Sequence, residues 1–316
     1  MNAHTPGQDS FGAAVTYLMF GIAAGLCLDL CAKWLLATYS LEQFVFLRST
    51  FGLLTFLAMI RWYGGLGGLH TRRWKWHVLR TGLACISMFG FFYGLSKMPL
   101  VNALTIAFTA PLIVTALSVP LLGEHVGWRR WTAVVVGFGG VMLVLRPQSG
   151  FDPLASFALL ASAAGYAGLA ITARKLAATE TTFAMSFYVI AGPLTISSFL
   201  LAGEFRTPEP LAWLLFCLAG VCSAAAWVGI VGAYRRAPPV ILAPFEYTAL
   251  IGAAIAGYWI WDEVPDRWVV AGSVVIIGSG LYIVSREMED GLTARYLRAF
   301  TSGVTSVLAR RRKTAR

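Results

Sequence analysis

Charge is scarce in this chain. Only 13% of its 316 residues are Asp, Glu, Lys or Arg and 58% are hydrophobic, against about 25% charged and about 45–50% apolar in an ordinary soluble domain. That imbalance excludes a soluble enzyme. A disulfide framework is missing too: Cys27, Cys31, Cys85, Cys217 and Cys222 are odd in number, sit inside apolar stretches and form no C-x-x-C pair. Neither a bridged scaffold nor a zinc site is expected, and the thiols read as small packing residues. The opening MNAHTPGQDS carries no positive n-region and no clear cleavage site follows, so the first apolar run reads as a retained span.

Catalytic signatures are absent as well. There is no Walker A loop, no H-E-x-x-H and no G-x-S-x-G, and His4, His70, His77 and His125 all fall near span ends or in loops. No catalytic residue, metal ligand or cofactor is expected, which leaves an intramembrane enzyme as the weaker class.

What the chain does have is length in apolar runs. A spanning helix needs about 20 such residues, and ten runs qualify, near 11–35, 42–62, 77–96, 99–122, 128–145, 153–173, 182–202, 211–234, 239–261 and 268–285. Little is left for a separate soluble domain. The net charge of +10 is gathered between these runs, so it speaks of orientation and not of nucleic acid. With the N-terminus inside, alternating loops collect Arg61, Arg72, Arg73, Lys75, Arg129, Arg130, Arg174, Lys175, Arg235, Arg236 and the basic tail on one side, eighteen charges in all, and only Lys97, Arg146, Arg206 and Arg267 on the other. Both termini are therefore expected in the cytoplasm of a cell whose inner membrane holds the chain. The tail, residues 286–316, spaces Leu292, Tyr296, Phe300, Val304 and Leu308 four apart and ends in RRRKTAR. It reads either as an amphipathic helix on an anionic leaflet or as a solvated basic tail.

The chain also repeats itself. Pro99/Pro238, Val101/Val240, Thr109/Thr248, Ala110/Ala249, Glu124/Glu263 and Gly139/Gly278 coincide at an offset of 139, and Leu35/Leu176, Ala37/Ala178 and Thr38/Thr179 at 141. Five spans per repeat is an odd number, so the second copy enters the membrane from the opposite side. The expected fold is an all-α integral membrane protein of ten transmembrane helices in two inverted five-helix repeats: a short tail over residues 1–10, a first repeat over 11–145, a second over 153–285, then the basic tail. Inverted halves that exchange conformations are a device of secondary transporters.

The two Pro-to-Glu cassettes, the phrase EYTALIGAAIAGYWIWDE and the pattern of Asp29, Lys33 and Arg48 resemble the drug/metabolite transporter superfamily, in particular its ten-helix EamA branch, over residues 11–285. The second cassette departs from the usual Gly-Glu ending, with Asp262 where the first has Gly123. The resemblance implies a central cavity among spans 1, 3, 4, 6, 8 and 9 and movement of small organic metabolites. On those spans it singles out Phe92, Tyr93, Tyr166, Trp227, Phe245 and Tyr247 as cavity candidates.

Residue chemistry adds its own candidates. Charges inside a bilayer are costly, about 2.5–3.5 kcal/mol each on insertion scales. Glu246, deep in the ninth span, therefore suggests an amine or proton site, or a structural acceptor. Asp29 and Lys33 share a helix face, with Arg48 in reach, and read as a gating or structural charge cluster. Asn102, Thr105 and Thr109 offer hydrogen-bonding groups on span 4. Pro111, Pro120 and Pro244 mark helix breaks, and Gly21 with Gly25 a helix-packing motif. The favoured cargo is an amino acid or related polar metabolite, moved outward by alternating access. The alternative is uptake of a larger cofactor or vitamin, of S-adenosylmethionine or flavin type. The expected partners are the small-molecule substrate and the lipid bilayer, with monomer and homodimer both open.

Overall fold

The computed structural model describes residues 8–59, 71, 73–123, 126–146, 152–176, 179–201, 205–234, 236, 242 and 245–289. Among them every regular element is a helix. The helices are α1 (Gln8–Leu36), α2 (Leu41–Ala58), α3 (Trp74–Lys97), α4 (Leu100–Ala107), α5 (Ala110–Leu122), α6 (Trp128–Val144), α7 (Pro153–Leu176), α8 (Thr182–Leu200), α9 (Pro210–Tyr234), α10 (Thr248–Trp261) and α11 (Arg267–Glu289). Seven stretches are long and apolar enough to cross a membrane, and Ala184–Leu200 and Thr248–Trp261 are shorter apolar helices. The chain is an all-helical, multi-pass membrane protein.

Two of the expected spans are not single helices. Span 4 divides into α4 and α5, and the described helix of span 9 begins only at Thr248. The last span also runs further than expected, to Glu289. Most of the basic tail, with Glu124, Arg72, Arg235, Pro238 and Pro244, lies outside the described residues.

Local chemistry sets the ends of the helices. Ser40 caps α2 by accepting the Gln43 N–H, and Thr181 caps α8 by accepting the Ala184 N–H, each worth about 1 kcal/mol. These two caps are 141 residues apart in sequence and alike in geometry, both extended at the cap residue and both accepting the N–H three residues on. At the far ends of α5 and α10, Gly123 (φ 69°) and Asp262 (φ 53°) both take the left-handed conformation and return their N–H groups to the last turn. Asp tolerates that region better than most side chains. The sequence departure at Asp262 therefore leaves the turn unchanged.

Packing follows small residues. α1 lies along α9, α3 along α7, and α6 along α11, while α2 is wedged between α8 and α9. Gly21 and Gly229 meet backbone to backbone: a Cβ on Gly229 would stand 2.5 Å from the Gly21 Cα. Only absent side chains permit that approach. Gly25 faces open space, so just one of the two glycines of the expected motif packs a helix. The largest apolar cluster gathers Leu35, Phe44, Leu95, Leu100, Ile106 and Phe216 from α1, α2, α3, α4 and α9.

Candidate functional site

The interruption of span 4 falls at Phe108 and Thr109. Pro111 sits in the first turn of α5 and has no N–H for the carbonyl four residues back, so the chain tightens before α5 restarts. The described helix of span 9 starts in the same way, with Tyr247 and Thr248 standing 139 residues beyond Phe108 and Thr109. The Thr109 hydroxyl donates to the Ile106 carbonyl at 2.7 Å and that of Thr248 to the Phe245 carbonyl at 2.6 Å. The two interruptions meet, because the rings of Phe108 and Tyr247 lie 5.2 Å apart.

Tyr247 is held by a neighbour that has nothing. A Cβ on Gly280 of α11 would stand 2.1 Å from the Tyr247 hydroxyl, so glycine leaves the hollow the phenol enters. Glu246 directly precedes this ring, half-buried, within electrostatic range of the hydroxyls of Tyr247 and Tyr166. Tyr166, on α7, is 51% exposed even though it stands that close to an interior acid. A carboxylate, two phenols and loosened backbone in one place suit a ligand with hydrogen-bond donors and a flat apolar part.

The other polar candidates of span 4 are occupied. The Thr105 hydroxyl is fully buried and pairs with Ser273 at 2.9 Å, tying α4 to α11, and that of Thr109 is spent on the Ile106 carbonyl of α4. Asn102 is half-buried on α4. Phe245 packs against the small cluster of Ala14, Leu18, Ala233 and Leu242, between α1 and α9. Phe92 is buried between Phe44, Phe91 and the Arg48 guanidinium, and Tyr93 and Trp227 are half-buried. Pro120 does not break its helix, which runs on to Leu122.

The charge cluster is rearranged relative to expectation. Lys33 does not pair with Asp29: it reaches across the bundle to the Glu263 carboxylate and also donates to the Met98 carbonyl at 3.4 Å. Spacing on one helix face could not reveal a partner brought in from the turn before α11. The second Glu263 oxygen accepts the Leu100 N–H at 3.0 Å, and the Trp261 ring lies 5.0 Å from the Lys33 ammonium. Arg48 donates to Ser223 at 2.7 Å and to the Met88 sulfur at 2.9 Å. Asp29 stays within electrostatic range of Arg48 without touching it.

The same end of the bundle is tied at other points. Gln43 exchanges two hydrogen bonds with the Arg206 backbone, the Glu209 N–H donates to the Tyr39 hydroxyl, and Arg146 pairs with Asp266. At the opposite end His77 meets Glu180 at 3.1 Å, where Thr71 also donates to the carboxylate. This buried group joins the start of α3 to the turn before α8. Glu180 lies 103 residues from His77 and 109 from Thr71 in sequence, so no motif announces it.

The known proteins that the chain is similar to are named as transporters. Residues 13–146 match the model of the EamA-like transporter family. The chain is 28% identical over 281 residues to the S-adenosylmethionine uptake transporter of Rickettsia bellii, covering 89% of this chain and 96% of that one. It is 28% identical over 229 residues to the riboflavin transporter of Vibrio cholerae, covering 72% of this chain and 77% of that one. The pseudopaline exporter CntI of Pseudomonas aeruginosa is 28% identical over 244 residues, covering 76% of this chain and 85% of that one.

Proposed function

The chain belongs to the EamA-like transporter family of the drug/metabolite transporter superfamily, and from that membership we propose that it is an inner-membrane uptake carrier for a cofactor-sized metabolite, with S-adenosylmethionine-like molecules as the favoured cargo. The observation that carries this reading is the meeting of two interrupted helices at Phe108 and Tyr247 with Glu246 beside them. Interrupted helices facing each other near the middle of a bundle are where secondary transporters hold their solutes, because freed backbone groups there exchange partners with the cargo. The relatives move the balance away from amino-acid export. The relatives with the strongest matches include several named for uptake of S-adenosylmethionine, and riboflavin transporters match as well.

The proposed architecture is ten spans in two inverted halves, 11–145 and 153–285, with both termini in the cytoplasm. Its support is paired geometry. The caps at Ser40 and Thr181 and the turns at Gly123 and Asp262 recur at the offsets of the sequence repeat. The pairing of α1 with α9 mirrors that of α7 with α3. Rocking such halves exposes a central site to one side at a time.

The test is counterflow in proteoliposomes. Vesicles preloaded with S-adenosylmethionine should accumulate labelled S-adenosylmethionine chemically unchanged, faster than matched vesicles preloaded with alanine or leucine accumulate those amino acids. Flux of the amino acids alone would return the cargo to the sequence's first expectation. Chemical turnover of the solute would overturn the carrier reading.

A further inference from the structure

We propose that Asp29 and Arg48 form a receptor for the zwitterionic head of an α-amino acid, one end of a two-ended cargo site whose other end is at Glu246. The inference rests on the carrier reading above and adds the residues that recognise the cargo.

The two charges lie at one depth. Asp29 is seven residues before the end of α1 at Leu36 and Arg48 seven after the start of α2 at Leu41, so each is about 10 Å from the same end of the bundle. They stand within electrostatic range but beyond ion-pair contact. Arg48 is only 9% exposed, and among the described residues it touches no carboxylate. Its two hydrogen-bond acceptors are a hydroxyl and a thioether, its flat face lies over the Phe92 ring, and its Nε has no acceptor. Asp29 has no hydrogen-bond donor among the described residues. A buried guanidinium and a half-buried carboxylate, each fixed short of the other, are both under-compensated. An ammonium against Asp29 and a carboxylate against Arg48 neutralise both at once.

Arg80 is the contrast in its surroundings. It too is buried and its Nε also lacks an acceptor, but it donates to the Leu169 carbonyl and to Thr172, with no acid acting on it, and serves as a pin between α3 and α7.

The pattern across the two halves points the same way. Lys33 and Glu263 have counterparts in Arg174 and Glu124 at the repeat offsets, as parts of a moving frame should. Asp29, Arg48 and Glu246 correspond to Ala170, Val189 and Ala107. Charges carried by one half only serve something that is itself asymmetric.

The spacing fits a long molecule. Gly252 of α10 touches Leu26 of α1, which sets the two helices level there. Asp29 lies three residues beyond Leu26 and Glu246 six before Gly252, a separation of about 13 Å along the axis. An amino-acid head between Asp29 and Arg48 leaves the far end of the molecule at Glu246, Tyr166 and Tyr247, where a carboxylate accepts from hydroxyl or amine donors and rings stack on a flat base.

Thermal stabilisation of purified protein separates this inference from the cargo reading. S-adenosylmethionine and methionine should both stabilise the native chain, and 5′-methylthioadenosine, which lacks the head, should do so through the other end alone. Asp29→Asn and Arg48→Gln should weaken the two amino-acid ligands by about 10- to 100-fold while leaving methylthioadenosine unchanged. Ser223→Ala, which removes only a positioning contact, should weaken them less with the same selectivity. Equal loss for all three ligands, or unchanged affinity for the amino-acid ligands in folded variants, overturns the receptor. If the native protein and variants behave as expected but S-adenosylmethionine does not cross vesicles, the receptor stands and the cargo reading falls.

Discussion

The Lys33 ammonium and the Glu263 carboxylate, 230 residues apart in the chain, form an ion pair that ties α1 to the turn before α11. The acid does a second thing at once: its other oxygen accepts the first N–H of α4, at Leu100. One carboxylate therefore fastens three elements. Its donors come from positions 33 and 100, its own position is 263, so it spans the two proposed halves and closes that end of the bundle.

Removing this latch should loosen that end without unfolding the protein. Glu263→Gln keeps the shape but loses the charge, and Lys33→Met removes the ammonium. Loss of a charge-assisted hydrogen bond of this kind shifts a two-state balance by about 10-fold or more. A cysteine at Asn102, close inside the latch, should then react faster with a hydrophilic thiol reagent added from the outer face, in a cysteine-free background. Unchanged labelling in both variants would mean that the pair holds the fold and not a gate.

Glu246→Gln should keep insertion and melting temperature while lowering flux by about 10-fold or more, the size expected when a carboxylate that accepts charge-assisted bonds from cargo is neutralised. Flux should be measured from pH 5 to 8. Equal flux for both proteins across that range would remove Glu246 from the transport step.

The helices were legible because hydropathy alone finds a span, and the offsets of 139 and 141 could be counted from prolines, threonines and glutamates. Span 4 is interrupted just before Pro111, and Glu246 stands beside the Tyr247 turn. Partners were a different matter. Lys33 reads as a partner for Asp29 because four residues on one helix face is the adjacency a sequence displays. The true partner arrives from the other half of the chain, as Glu180 does for His77. Hydroxyls misled for a related reason: Thr105 and Thr109 look available in a sequence, but a buried hydroxyl takes whatever acceptor the fold supplies, here Ser273 and the Ile106 carbonyl.

Gly280 gives a prediction that depends on one methyl group. Alanine there would put a Cβ 2.1 Å from the Tyr247 hydroxyl, so the phenol must leave its hollow or α11 must shift. The expected cost is about 1–3 kcal/mol, as for other overpacked interiors, seen as a lower melting temperature. Tyr247→Phe should relieve most of it when combined with Gly280→Ala, because it deletes the colliding oxygen. A double variant as unstable as Gly280→Ala alone would show that the ring does not occupy that space.

The last prediction concerns the opposite gates. In the proposed repeat, Glu263 and Lys33 at one end correspond to Glu124 and Arg174 at the other, and Asn102 on α4 corresponds to a position next to Leu242. Leu242 is fully buried against Ala14, Leu18 and Ala233, while Asn102 is half-buried behind the Lys33 latch. If the halves rock, closing one entrance opens the other, so the two sites cannot both be exposed in one state. Cysteines at 102 and 242 should therefore change reactivity in opposite directions when saturating cargo is added. Glu263→Gln should shift the pair in one sense and Glu124→Gln in the other. A pore would let both cysteines react together, and static packing would leave both indifferent to cargo. Parallel changes at the two positions, or none, would end the inverted-gate mechanism even for a chain that moves solute.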